Sequence, residues 1–480
     1  MQISGSINEN ADTLRTMFDN SADLTLKTMP LRINGDTVCV LTAALEGLAD
    51  KELIAVTITN RISDYRGACE GDVFTILQRD IISCNDVIIV TDMADAAGFM
   101  MSGFACVFVH GVRYALAVGV QGYAYRSVEE PQTEVLQRGS REGFCEPMKI
   151  NQSMLRRRLK NTQLKFETMK IGDKSNTDVC LCYLRSRADE RIIADVRNRL
   201  TSIKMDCLAA SGFLREYLED SRPSFFSGVG VTERPDTAAQ KLCEGKVVII
   251  VDGTPSVLVV PHIMAENFST IDDYCDRVYF AALTRLLKYT AFAVSILLPG
   301  IYVALAGFSP EFFPNQLLTR VTTSVSKTPF SVFAEVLFFT FVYEIMREAG
   351  LRLPKTLGHA VSIIGGLVIG DTAVSSGFIG APTLMIVALT VICSYVIPNL
   401  YAPVSILRLL FIIAGGVWGI WGVILLMCIV IADICSKESF GVPFMTPASP
   451  LDMFGMRDFI IRAPWKVLSK SPFIFKKEVR

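Results

Sequence analysis

Histidine is nearly absent: His110, His262 and His359 are the only three in 480 residues. A metal or acid–base centre built on imidazole is therefore not expected. The 13 cysteines stand singly or as Cys180-x-Cys182, with no CxxC pair and no histidine at ligand spacing. They read as small buried hydrophobes of a reducing compartment. There is no Walker A loop, no GxGxxG after a strand, no HExxH and no GxSxG elbow, and Gly228-x-Gly230 lacks both a third glycine and a preceding strand. Neither catalysis nor a cofactor is expected. The start, MQISGSINENADTL, has no basic n-region followed by an apolar stretch. No signal peptide is predicted, and the region before the first span should stay where it is made. Nor is one charge in excess: 47 Lys+Arg face 48 Asp+Glu, which argues against a nucleic-acid partner.

What the chain has in quantity is apolar side chains, 51% of all residues, with a mean hydropathy of +0.39. That is high for a soluble protein, yet 20% charge is too much for a chain lying wholly in a membrane. Position resolves the conflict. Residues 289–432 hold 11 charged side chains in 144 positions, about 8%, and the other 336 positions hold 84, about 25%, the ordinary globular share. The net charge is about −5 before residue 289, +1 across 289–432 and +3 after it. The expected architecture is an α/β N-terminal soluble region of two subdomains (1–135 and 136–275), followed by an α-helical transmembrane bundle of four to five membrane segments (289–432) and a basic C-terminal tail (433–480).

Alternating patterns predict strands at Thr37–Ala44, Asp86–Val90, Ala105–Val109 and Arg113–Val120, with helices over Gly71–Ile82 and Met93–Ser102. The polar run from Glu129-Glu130-Pro131 to Glu142 reads as a linker. Beyond it, strands are predicted at Leu164–Lys170, Thr177–Tyr183, Lys246–Val251 and Ser256–Val260, the last two joined by an Asp252-Gly253-Thr254-Pro255 turn. Helices are predicted over Ala188–Leu200 and Phe213–Asp220.

In the apolar part, Tyr289–Pro310, Thr372–Leu407 and Leu409–Ala432 carry no charge, and about 20 mostly apolar residues suffice to cross a bilayer. Pro382 and Pro398-Asn399 interrupt the second window. Val361–Phe378 adds a span with Asp371 inside it. Pro329–Ile345 carries Glu335 and Glu344, and either spans, lies at the interface or enters part-way. The basic tail prefers the cytoplasmic side. With a cytoplasmic N-domain that requires an even number of spans, whereas Arg347, Arg352 and Lys355 favour a crossing at Pro329–Ile345.

An ordered set of segments resembles the A subunit of the GerA family of spore germinant receptors of endospore-forming bacteria. The set comprises Ser140-Arg-Glu-Gly-Phe144 with Glu146, Asn151, Arg156-Arg157-Arg158, Lys174-Ser-Asn-Thr-Asp178, Thr232-Glu-Arg-Pro-Asp236 and Glu244-Gly-Lys-Val-Val-Ile-Ile-Val-Asp-Gly-Thr-Pro255. In the membrane part, Arg347-Glu-Ala-Gly-Leu-Arg-Leu-Pro354, Ala360-Val-Ser-Ile363 and Ser439-Phe-Gly-Val-Pro443 continue it. The resemblance implies a multi-pass protein of the spore inner membrane with a cytoplasmic N-domain. It implies partners too: a transporter-like, nutrient-binding B subunit, a lipoprotein C subunit and membrane lipid. Copies of the chain would form a homo-oligomeric ring around a cation-conducting pore that opens on nutrient binding. The stage V sporulation AF branch shares this architecture and stays open as an alternative. His359 and Asp371 stand where the family commonly has Gln. A secondary transporter, suggested by the proline-broken helices, and a membrane-anchored scaffold also stay open.

Asp371 is the leading pore candidate, since a mid-span carboxylate must face a bundle interior or water. Leu367, Val368 and Ser375 share its helical neighbourhood. The plain alternative is an acid near a helix end, or one paired with a base such as Arg408. Glu335 is a second pore candidate, on the opposite helix face from Glu344, which can pair locally with Arg347 beside Glu348. Gly366-xxx-Gly370 and Gly415-xxx-Gly419 have helix-packing spacing, within one subunit or between subunits. Trp418 and Trp421 read as packing or interfacial anchors. Arg156, Arg157 and Arg158 are either a solvated helix face or a subdomain or partner contact, for which Glu142 could be the counter-charge.

Overall fold

The computed structural model of the chain describes residues 2–468 apart from 22–23, 34–35, 47, 66–72, 83, 85, 123–126, 132, 135–137, 221–223 and 354–369. The chain divides into two compact units, residues 1–125 and 126–480.

In the first unit, α1 (Ile7–Met17) leads to a hairpin of β1 (Leu24–Ile33) and β2 (Asp36–Leu45). With β3 (Val87–Val90), β4 (Phe104–Val109) and β5 (Ala115–Gly119) they form an antiparallel sheet in the order β1-β2-β4-β5-β3. Every residue of β4 is buried, because the sheet is covered on both faces. On one face, α1 and α2 (Met93–Met101) pack Ile7, Leu14, Met93 and Met100. On the other, helical turns at 51–64 and 73–81 pack Ile58, Ile62, Phe74 and Leu77. A strand covered twice has to be apolar at every position, which erases the alternation of a half-exposed strand.

The second unit opens with the same plan. After α3 (Met148–Arg158) come β6 (Leu164–Ile171), β7 (Thr177–Leu184), α4 (Glu190–Thr201), α5 (Gly212–Leu218), β8 (Gly230–Thr232), α6 (Pro235–Cys243), β9 (Val247–Val251) and β10 (Val257–Val260). Their sheet order, β6-β7-β9-β10-β8, repeats that of the first unit strand for strand. The hairpin between the fourth and fifth strands turns on a left-handed glycine in each, Gly111 (φ 86°) and Gly253 (φ 84°). The expected linker is not loose. The first unit closes at Tyr125, and Glu129, Glu134 and Ser140 are tied into the second. Gly143 donates its amide to the Glu129 carbonyl at 2.7 Å. The buried Arg234 donates to the carbonyls of Glu134 (3.2 Å) and Ser140 (2.6 Å) while pairing with Asp236 at 2.7 Å.

From Val278 the second unit is helical. Among the described residues, two helices are long and apolar enough to cross a membrane: α7 (Val278–Phe308) and α12 (Tyr401–Ser436), entered through a 3-10 turn at Pro398–Leu400. Between them lie α8 (Asn315–Val325), α9 (Val332–Arg352), α10 (Gly370–Ser375) and α11 (Ala381–Tyr395). The other expected segments do not pass that test. Val332–Arg352 has the length but carries five charges, and Ala381–Tyr395 is apolar but has only 15 residues. Most of 361–378 lies outside the described residues. Charges also misplaced the ends: α7 begins at Val278, so Arg285 and Lys288 lie inside it, and Arg408 sits within α12 instead of between two helices. Pro382 and Pro398 occupy first-turn positions, where a missing N–H costs no hydrogen bond.

One buried ion cluster braces the second sheet. The fully buried Lys246 ammonium donates to the Pro261 carbonyl at 2.7 Å and pairs with Glu266, which also receives Lys241 at 2.6 Å and His262 at 3.1 Å. Burial pushes the Lys246 amine down to about 8. Burial would raise the Glu266 carboxyl, but Lys241 and Lys246 outweigh it and hold that group well below the usual range. Glu266→Gln leaves the buried Lys246 without a carboxylate and Lys241 with Glu244 alone, and should destabilise the purified full chain by about 3–5 kcal/mol in denaturation experiments. The Glu266 contribution is complete above the ordinary value of 4.5 and is lost as pH falls through its lowered pKa. The gap between the two chains should therefore narrow in acid.

Candidate functional site

Three stretches of chain converge on the base of α7. Arg285, fully buried, places Nε 3.2 Å from Asp273 Oδ2 and Nη1 2.8 Å from both Asp458 Oδ1 and the Asp458 carbonyl. Lys288, one turn on, lies 3.1 Å from Asp273 and from the Thr270 hydroxyl. Arg462 donates to the Asp273 carbonyl at 2.6 Å, and the Tyr274 hydroxyl donates to Asp458 at 2.6 Å. Asp273 is held ready by its own turn, in which its carboxylate accepts the Thr270 amide at 3.1 Å. The far end of α12 is fastened to the same subdomain. Ser224 donates to Asp433 at 2.9 Å, the Lys437 ammonium donates to the Phe226 carbonyl, and Ser439 donates to the Gly228 carbonyl at 2.6 Å. The hairpin of Glu438–Ser439 and Val442–Pro443 inserts Phe440 and Val442 into the second subdomain's core. Both long helices are thus clamped to one α/β body. No sequence pattern marked Asp273 or Asp458 as partners, because they are far apart in the chain. Arg285 and Lys288 inside an apolar helical stretch were the available signal.

Within the bundle, Glu335 and Glu344 of α9 have different partners. Glu335 is buried, and its Oε2 accepts the Gly380 amide at 3.2 Å and the Thr383 hydroxyl at 2.9 Å, both at the N-terminus of α11. A helix N-terminus offers free amides and positive potential, the setting a buried carboxylate needs. Glu344 accepts Tyr401 and Ser405 of α12, each at 2.8 Å, and Arg347 at 3.3 Å; Arg347 also lies 3.8 Å from Glu348. Asp371 is exposed in the first turn of α10, as is Ser375 at that helix's end. Its neighbours Leu367 and Val368 lie outside the described residues. Asp371 makes no ion pair with Arg408. Arg408 is buried on α12 with no hydrogen-bond partner for any of its three guanidinium nitrogens among the described residues, and the Tyr343 ring centroid lies 6.0 Å from its Cζ.

The glycines set how closely the helices approach. A Cβ on Gly415 would lie 2.4 Å from the Gly300 carbonyl oxygen, and one on Gly300 would lie 2.6 Å from that of Phe411. The packing of α7 on α12 uses this contact within one chain. Gly419 does not continue a regular helix: at φ 61° and ψ −146° it breaks α12 beside the Phe308 ring. Gly370 packs near Leu384, and Gly366 lies outside the described residues. Trp418 and Trp421 point outward, 65% and 77% exposed.

The arginine run closes on the predicted acid. Glu142 receives Arg157 and Arg158, each at 2.6 Å, and Arg158 also donates to Ser140 at 2.7 Å. Arg156 donates to the Asn161 carbonyl at 3.0 Å. All belong to the second unit, so the clasp fastens residues 140–142 to α3 and joins no two subdomains.

Two substitutions separate packing from charge. Gly415→Leu should force α7 and α12 apart and lower the thermal midpoint in detergent, at a cost of about 1–3 kcal/mol. Trp421→Phe, as the exposed control, should leave that midpoint unchanged. Arg408→Met removes an unpaired buried charge and should raise the midpoint, a stability gain of roughly 1–4 kcal/mol.

Comparison with known proteins places the whole chain. Residues 12–474 match the family described as Bacillus/Clostridium GerA spore germination protein. The chain is 34% identical over 485 residues to the uncharacterized membrane protein YfkQ of Bacillus subtilis (strain 168), spanning 99% of this chain and 92% of that one. It is 40% identical over 381 residues to spore germination protein KA of the same strain, spanning 79% and 70%. A crystal structure of the N-terminal domain of the A subunit of the Bacillus megaterium spore germinant receptor GerK3 aligns over 55% of this chain and 98% of its own, at 25% identity and a TM-score of 0.24. A match that runs from residue 12 to residue 474 embraces both α/β subdomains, the helical bundle and the tail, and the chain belongs to the GerA family of spore germination proteins.

Proposed function

We propose that the chain is the A subunit of a nutrient germinant receptor in the spore inner membrane. In this reading it is multi-pass with a cytoplasmic N-domain, works without catalysis alongside B and C subunits, and assembles as a ring around a cation pore. The observation that carries the reading is the double clamp. Asp273 and Asp458 hold α7, and Ser224 and the Phe226 and Gly228 carbonyls hold the end of α12, all on one α/β body. A partner that shifts that body moves the first and last long helices together, and a gate needs a two-state bundle biased from outside. Asp371, exposed and without an ion pair among the described residues, is the side chain that such a ring could turn toward its axis to hold cations weakly.

A secondary transporter is the second reading, favoured by the break at Gly419 and by Pro299 inside α7. Native mass measurement of the purified chain separates the two: a closed ring is expected, and a stable monomer overturns the channel. In liposomes holding the chain with its B and C subunits, Asp371→Asn should lower cation flux several-fold. Unchanged flux and selectivity would remove Asp371 from the pore.

A further inference from the structure

The tail beyond α12 folds back on the base of α7. Together with α6 and residues 263–274, its residues 447–468 line an open cavity of about 370 Å³. Apart from Arg457, the lining charges are already committed: on the α6 side Lys241 to Glu244 and Glu266, and on the tail side Asp458 to Arg285 and Tyr274. Beside Asp458 the rest of the tail side is apolar, with Phe454, Trp465, Val467 and Leu468. Arg457 differs from both. It is exposed, its guanidinium stacks 4.7 Å from the Phe454 ring centroid, and among the described residues it has no carboxylate partner. An entering molecule therefore meets one uncommitted cation at the edge of an apolar slot.

The outer face of the same tail is also apolar: Leu451, Met453 and Ile461 are 67%, 75% and 66% exposed, and Trp465 is 52% exposed. The first turns of α7, tied to the tail through Arg285 and Asp458, expose Tyr279, Phe280 and Leu283. Large apolar side chains with a tryptophan and a free arginine, at the foot of a membrane-length helix, match the headgroup boundary of a bilayer.

We propose that this cavity binds an anionic membrane phospholipid, with its phosphate on Arg457 and an acyl chain along Phe454 and Trp465. Guanidinium pairs with phosphate through two parallel N–H donors. A zwitterionic headgroup brings a compensating cation and loses most of that gain. The site adjoins Asp458, so lipid bound there would bear on the Arg285 clamp. The inference rests on α7 crossing the bilayer and is independent of any pore.

Only three tryptophans are present, so Trp418→Phe with Trp421→Phe leaves Trp465 as the sole reporter. The full chain goes into phosphatidylcholine vesicles doped with phosphatidylglycerol or phosphatidylcholine brominated high on the acyl chain. Brominated phosphatidylglycerol should quench Trp465 at about fivefold lower mole fraction, the factor that ~1 kcal/mol per basic group near an anionic surface gives. Adding Arg457→Gln, with circular dichroism unchanged, should erase the preference and keep the quenching by both lipids. Equal quenching by the two lipids in the Arg457 chain overturns the site. So does no quenching by either, which would mean that protein covers the patch. So does reversal by inorganic phosphate, which would mean a soluble phosphate ligand.

Discussion

Arg285 is the residue on which the architecture turns. A guanidinium stripped of water at the entrance to an apolar helix is tolerable only if carboxylates reach it. Asp273 comes from the end of the second α/β subdomain and Asp458 from the tail. Satisfying one charge therefore brings three separate stretches of chain to one point. Lys288, Arg462 and Tyr274 add contacts to the same two acids or their backbone, and Lys288 also reaches the Thr270 hydroxyl and Arg462 the Asp276 carbonyl. The clamp at the other end is weaker in charge but similar in logic, since it spends backbone carbonyls of residues 226 and 228 on Lys437 and Ser439.

The bundle itself deals with polarity in several ways. Glu335 uses a helix N-terminus, and Glu344 uses hydroxyls from the neighbouring helix and an arginine on its own. Arg408 lies deep in α12 with neither, though α12 passes Glu344 at Tyr401 and Ser405, within two turns before it. A buried charge without a partner costs free energy in this packing. Around these groups, the glycine contact of Gly300 on Gly415 lets two backbones touch, so the helices that carry the charges are held at fixed spacing.

The soluble part is economical in a different sense. Two sheets with one strand order are built from sequences that share no visible repeat, because the order is set by hairpins and covering helices. Apolar runs and left-handed glycines at the second hairpin can be kept while nearly every other residue changes. The second copy meets the helices through Asp273, and its core receives Phe440 and Val442 from the Glu438–Pro443 hairpin.

Much of this was legible in the order of residues. Charge density separates an α/β region from an apolar one, since hydration decides it locally. The Asp252–Pro255 turn and the β4–β5 hairpin are short-range events, and the ordered motifs point to the family whose match covers residues 12–474. A charge does not mark a helix end here: Arg285, Lys288 and Arg408 are inside helices because partners or burial, not helix geometry, determine where a charge can sit. The linker was misread because a buried Arg234 makes its carbonyls into structure. Composition and local pattern thus determined the two-part chain, most of its strands and the apolar character of its two membrane-length helices. Only tertiary structure decided which acid meets which base, because those pairs join residues that sequence separation keeps apart and folding alone brings within 3 Å or so.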